Sequence, residues 1–207
     1  MITIQRIFVD GPRKFFDLLT GAEWRKWSRV VMNAEMRNLV CGLHPEDLDV
    51  LEISGTDWKD MNFRSYHDTQ YPNYDLCESP LNGDASFDLI IADQVFEHLL
   101  WPYRAARNVL QMMRPGGYFL LSTPFLVRIH DEVDCTRWTE TGLRYFLIEC
   151  GFDPEHIVTG SWGNRACIKA NLNLKKWARY RRNIHSLRNE PKFPYVVWAL
   201  AKKKPDK

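Results

Sequence analysis

Apolar and polar positions change period several times along the chain. In residues 13–42, Phe16, Leu19, Trp24, Trp27, Val31, Met32 and Met36 recur at a spacing that predicts one or two amphipathic helices. The polar stretch "GLHPEDLD" ends that segment, and "DVLEIS" predicts a short buried strand. "FRSYHD" predicts a second strand and "NYDLCES" a third short element. The clearest strand is "SFDLIIAD", which ends on Asp93. "QVFEHLLWPYRAARNVLQMM" predicts helix, with Pro102 opening a new helical turn. "RPGGYFLLSTPF" reads as a Pro-Gly-Gly turn and then a strand. "TETGLRYFLIECGF" predicts a helix with a capping-box start at Thr139 and a stop at Gly151. "PYVVWALAKK" predicts a last strand before a charged tail. Strands that alternate with helices argue for an α/β fold with a mainly parallel sheet.

Composition narrows the class. A chain of 207 residues suits one domain, read as an N-terminal helical cap over 1–45 and a core over 46–207 with a basic insertion at about 171–190. Lys and Arg number 28 against 26 Asp and Glu, a net charge of +2 that does not call for a polyanion partner. The five cysteines, at 41, 77, 135, 150 and 167, have no Cys-x-x-Cys spacing, so neither a disulfide framework nor a zinc site is expected. Reduced thiols and a cytoplasmic location are the expectation, with no bound metal. No apolar run approaches the roughly 18 residues of a membrane span. The N-terminal "MITIQRIFVDGPRKFF" lacks the apolar region of a signal peptide.

The stretch "VLEISGTDW" sets the chemical question, because a strand runs into a turn with a single glycine, Gly55. Four motifs follow in order: "VLEISG", "FDLIIADQVFEHL", "MMRPGGYFLLSTPF" and "RWTETGLRYFLIECGF". Together they resemble the class I S-adenosylmethionine-dependent methyltransferases, in particular small bacterial enzymes with a Glu-His pair after the fourth strand. The resemblance covers about residues 48 to 153. It implies a doubly wound, Rossmann-like, mostly parallel seven-stranded sheet with helices on both faces. The cofactor it implies is S-adenosylmethionine, with S-adenosylhomocysteine as product, held at the carboxyl ends of the strands. That cofactor carries no phosphate, so a full glycine triplet is not needed. Gly55 would supply the permissive φ and close backbone approach, and Ser54 a hydrogen bond.

The resemblance implies site residues one by one. Glu52 would order the loop and face the methionine ammonium, or simply cap the loop. Trp58 would close the loop or floor the pocket. Asp75 and Leu76 fall where the family binds the adenine, and Asp68 near the ribose. Asp75 also suits the generic ribose-acid spacing of twenty residues after Gly55, so the order of the two acids stays open. Asp93 and Gln94 end the fourth strand, where the methyl group should point. Glu97 and His98 would contact the cofactor or hold the loop.

The segment "STPFLVRIHDEVDCTRW" would sit over the cofactor. Pro124 bends the chain and Phe125 can wall the site. His130 is the leading general base, since its ordinary pKa lies near neutrality, with His98 as its rival. Arg128, Asp131, Asp134 and Arg137 could bind a polar substrate, or Asp134 and Arg137 could brace the loop. The stretch 175–188 holds six Lys or Arg, no acid, and Trp177, Tyr180 and His185. It suits a solvated insertion, and a phosphorylated or acidic sugar-like acceptor would fit it without a nucleic-acid partner. The leading expectation is methylation of a small polar acceptor, as on the oxygen of a sugar or natural-product intermediate. The alternatives are an RNA or protein methyltransferase guided by the basic stretch, and a non-catalytic cofactor-binding scaffold.

Overall fold

A computed structural model describes residues 19–81, 86–172 and 176–204. Strands β1 (Ala22–Lys26), β2 (Asp49–Ile53), β3 (Ser65–Thr69), β4 (Phe87–Asp93), β5 (Met113–Pro124), β6 (Ile157–Trp162), β7 (Arg179–Arg181) and β8 (Val196–Lys202) alternate with four α-helices. These are α1 (Arg29–Cys41), α2 (Pro102–Met112), α3 (Glu140–Cys150) and α4 (Arg165–Leu172). The main sheet has six strands in the order β3-β2-β4-β5-β8-β6. β3, β2, β4 and β5 run parallel, and β8 runs antiparallel to both its neighbours.

Both faces of the sheet are apolar, as burial on two sides requires. Leu51, Ile90, Phe119 and Val197 face one core with α2 and α3. Val50, Ile91, Leu120 and Trp198 face the other with α1 and α4. After β3 the chain returns to the opposite side of β2 as β4, so the strand order reverses between β2 and β4. Ligands of open α/β sheets bind outside the carboxyl ends of the strands at such a reversal. No helix among the described residues is long and apolar enough to cross a membrane.

Several expectations change. Among the described residues the main sheet has six strands where seven were expected, and "NYDLCES" forms turns. There the Asp75 carboxylate accepts from the Cys77 amide at 2.8 Å, an Asx turn that competes with strand pairing. The helical pattern expected over 1–45 is interrupted within the described residues by strand β1. Residues 1–18 lie outside the described part, Trp24 sits in strand β1, 86 % exposed, and α1 spans Arg29–Cys41. β1 pairs with β7 of the basic stretch, a partner more than 150 residues away that no local periodicity can announce. "QVFEHLLWPYR" is not one helix either: a 3₁₀ turn spans Phe96–His98 and α2 starts at Pro102. The Pro-Gly-Gly turn is a bulge within β5, between the Phe87–Met113 and Leu89–Tyr118 pairs.

The α3 boundaries hold. The Thr139 hydroxyl accepts from the Gly142 amide at 3.0 Å, and Gly151 stops the helix at φ 109°. The capping box is half complete, since its third helical position is Gly142. Glu140 instead accepts from the Thr159 and Ser161 hydroxyls of β6, at 3.0 and 2.9 Å. Thr139→Ala should lower stability by about 1 kcal/mol, read as a lower denaturation midpoint with an unchanged slope.

Candidate functional site

The turn after β2 is built around one carboxylate. Glu52 is 1 % exposed and accepts from the Asp57 and Trp58 amides, at 3.0 and 3.1 Å, and from the Tyr66 hydroxyl at 2.6 Å. Burial pushes its carboxyl up, and these three donors act the other way. Glu52 therefore caps the loop, one of the roles considered for it. Gly55 serves the same cap: a Cβ there would fall on Glu52 Oε1, closer than real Cβ contacts come. The left-handed conformation expected of Gly55 belongs to Ser54, at φ 55°. Trp58 is buried in the core on the α1 side, under Arg37, and lines neither of the two cavities described below.

Two cavities open at the carboxyl ends of the strands. The larger, about 440 Å³, is lined by Ile53, Ser54, Asp75, Leu76, Gln94, Val95, His98, Leu99 and Trp101, among others. Its size falls in the range of small-molecule sites, about 300–1,000 Å³. Its apolar walls with a few polar groups suit a nucleoside joined to an amino acid. Of the cofactor residues inferred from sequence, Ser54, Asp75, Leu76 and Gln94 come together here. Glu52, Gly55, Trp58, Asp68 and Asp93 do not line it. Asp68 is exposed on β3 beside Glu52.

Asp93 has a different task. Its carboxylate accepts from Arg29 Nη1 at 3.1 and 3.2 Å and from the Ser122 hydroxyl at 2.5 Å. Ser122 Oγ in turn accepts from Gln94 Nε2 at 3.1 Å. This chain of bonds fixes Gln94, whose backbone has φ 60°. Asp93 thus braces the strand end and is held away from the larger cavity.

The smaller cavity, about 210 Å³, is lined by Lys26, Ser28, Arg29, Gln94, Glu97, His98, Pro124, Val127, His130, Trp177 and Tyr195. Gln94 and His98 line both cavities and so form the wall between them. The loop after β5 is tied to the 3₁₀ turn: the Cys135 amide donates to the Glu97 carbonyl at 2.7 Å. His98 Nδ1 donates to the Val133 carbonyl at 2.5 Å, which fixes its tautomer. The His98 and His130 rings meet edge to face at 5.2 Å. Burial pulls the His130 pKa down, against the pull of Asp134. His130 Nδ1 lies 2.9 Å from Asp134 Oδ2 but outside hydrogen-bond geometry. Asp134 is held by Arg137 Nη2 at 2.6 Å, the bracing pair considered from sequence. Arg128 lies 4.2 Å over the Trp177 ring.

Sequence reasoning missed Lys26, Arg29, Tyr195 and the burial of Glu97. Glu97 is fully buried, and burial pushes its carboxyl up to about 7. The available signal was an acid inside the apolar run "VFEHLL".

Comparison with known proteins decides the family. A family model described as a methyltransferase domain matches residues 23–193. The chain belongs to the class I S-adenosylmethionine-dependent methyltransferases. A curated relative from Mycolicibacterium smegmatis, named as a probable S-adenosylmethionine-dependent methyltransferase, is 42 % identical over 60 residues. That match spans 27 % of this chain and 23 % of the relative. Solved structures share the fold at low identity. A methyltransferase of Thermotoga maritima, titled a possible histamine N-methyltransferase, superposes with a TM-score of 0.54 at 13 % identity, over 96 % of this chain and 97 % of that one. The 1,6-didemethyltoxoflavin N1-methyltransferase of Burkholderia thailandensis gives 0.53 at 13 %, over 97 % and 87 %. The [4+2]-cyclase SpnF gives 0.55 at 13 %, over 83 % and 81 %, so the fold alone does not name a reaction.

Proposed function

We propose that this methyltransferase holds S-adenosylmethionine in the larger cavity and methylates a small polar acceptor in the smaller one. The observation that carries this is the shared wall of Gln94 and His98, through which the two sites meet. The cofactor supplies an activated methyl group on a sulfonium. The chain's own residues have to align donor and acceptor, which accounts for much of the acceleration in such reactions. Asp75, Leu76 and Ser54 bind the cofactor, and Gln94 is locked in place by Ser122 and Asp93. His130 and His98 stand where an acceptor hydroxyl would lose its proton.

An acceptor with an anionic or hydroxyl-rich, sugar-like group suits the smaller cavity. Lys26 and Arg29 line it, and the Tyr195 hydroxyl there is buried without a partner. The basic stretch supports a small acceptor over RNA or protein. Trp177 walls the cavity, Ala178 and Tyr180 are buried, and β7 pairs with β1, so its aromatics are engaged internally. A cytoplasmic setting fits five free cysteines.

Calorimetry with S-adenosylmethionine and S-adenosylhomocysteine tests the assignment. Asp75→Ala should weaken binding by about 1–3 kcal/mol, while Asp68→Ala, outside the cavity, should leave it unchanged. A loss seen only for Asp68→Ala would reverse the roles of the two acids, and no binding by the native chain would end the proposal.

A further inference from the structure

Glu97 is 0 % exposed on the lining of the smaller cavity, and neither of its carboxylate oxygens has a hydrogen-bond partner. A buried carboxylate without donors is strongly unfavourable, so a proton or a cation has to meet it. Imidazoles stand beside it. His98 Nε2 stands 3.7 Å from Glu97 Oε1. One ligand atom each from Glu97, His98 and His130 lie within 4.8 Å of one another. Three such atoms around one ion at about 2.0–2.2 Å would sit roughly 3–4 Å apart, so small side-chain adjustments close the set.

The groups behind the imidazoles suit this. His98 Nδ1–H is held by the Val133 carbonyl, which leaves the Nε2 lone pair free on the Glu97 side. Asp134 stands 2.9 Å from His130 Nδ1, and a small ring rotation would make it the hydrogen-bonded carboxylate behind that imidazole. Carbonyls and carboxylates in these positions orient metal-binding histidines and raise their basicity. Two of the guanidinium groups nearby are already paired with carboxylates. Arg29 is paired with Asp93, Arg137 with Asp134, and Lys26 lies 5.8 Å over the Trp177 ring.

We propose that Glu97, His98 and His130 bind one divalent transition-metal ion at the wall of the smaller cavity, with its remaining positions open to an acceptor oxygen. Two imidazoles and one carboxylate are a donor set for zinc, iron(II), manganese or cobalt, and three protein ligands leave the ion open to a further ligand. The site stands on its own geometry; its role rests on the methyl-transfer function proposed above. In that role the ion acidifies a bound acceptor hydroxyl, and the proton leaves to solvent. The oxygen lone pair then forms the O–CH₃ bond as the C–S pair returns to sulfur, which leaves a neutral thioether. No metal was expected from the sequence, because ligands at 97, 98 and 130 match no ligand-spacing motif.

The test is a Co²⁺ titration of the full chain after chelator treatment, followed by visible absorption. One equivalent should give d–d bands. Glu97→Gln, His98→Ala and His130→Ala should each weaken Co²⁺ binding by about tenfold or more, while His156→Ala, at the Asp153 turn, should not. His130 lies on a loop, so its variant keeps the test valid should Glu97→Gln fail to fold, as read by circular dichroism. Absence of saturable bands, or equal binding by folded His98→Ala and His130→Ala variants, overturns the site. S-adenosylhomocysteine calorimetry is run in parallel. A chain that takes Co²⁺ but not this ligand keeps the metal site and overturns its role in methyl transfer.

Discussion

Gly55→Val should cut cofactor affinity by about 100-fold or more, roughly 2.7 kcal/mol, and should also lower the melting temperature. The cause is indirect. The new Cβ would occupy the space of Glu52 Oε1, so this buried carboxylate must shift, which breaks its bond to the Asp57 amide and disturbs those to the Trp58 amide and the Tyr66 hydroxyl. Hydrogen bonds to a charged group contribute about 1.5–3 kcal/mol each, and the orphaned groups are hard to rehydrate in place. Ser54 precedes Gly55 directly and lines the larger cavity, so a shifted loop moves the cavity wall. Calorimetry with S-adenosylhomocysteine and a thermal melt measure the two effects. A folded variant with native affinity would separate this turn from the cofactor.

His130→Ala should lower turnover by about 10²–10⁴-fold and leave cofactor affinity near native, because His130 lines only the smaller cavity. His98→Ala should lower both, because His98 lines the two cavities together. The loss in His130→Ala should shrink as pH nears the acceptor's own pKa, where the acceptor ionises without help. This holds whether His130 takes the proton itself or holds an ion that acidifies the acceptor. Steady-state kinetics with an identified acceptor, beside cofactor calorimetry, decide the matter. Native turnover in both variants would mean that positioning alone drives the transfer.

Much of the fold is legible along the chain. β2, β4 and β8 carry apolar runs long enough to be buried on both faces, and α3 announces its ends with Thr139 and Gly151. The turn after β2 is legible as a ligand turn, though the roles within it are exchanged. Ser54 adopts the left-handed backbone, and Gly55 makes space for a carboxylate. A string of residues shows that a small residue is needed there, but not which neighbour needs the room.

Local pattern determined β2 to β5, α2, α3 and β8, the family motifs and the strand end at Asp93–Gln94, because those depend on periodicity and turn chemistry within about 15 residues. Tertiary structure alone decided that β1 leaves the helical pattern to pair with β7. It also turned Asp93 toward Arg29 and away from the larger cavity, and enclosed Glu97 between His98 and His130. Each of these rests on a partner distant in sequence, and a group's burial and charge balance follow from all the elements packed around it. That is why the cofactor could be named from the sequence, while the smaller cavity and the unpartnered carboxylate of Glu97 beside it could be found only in the folded chain.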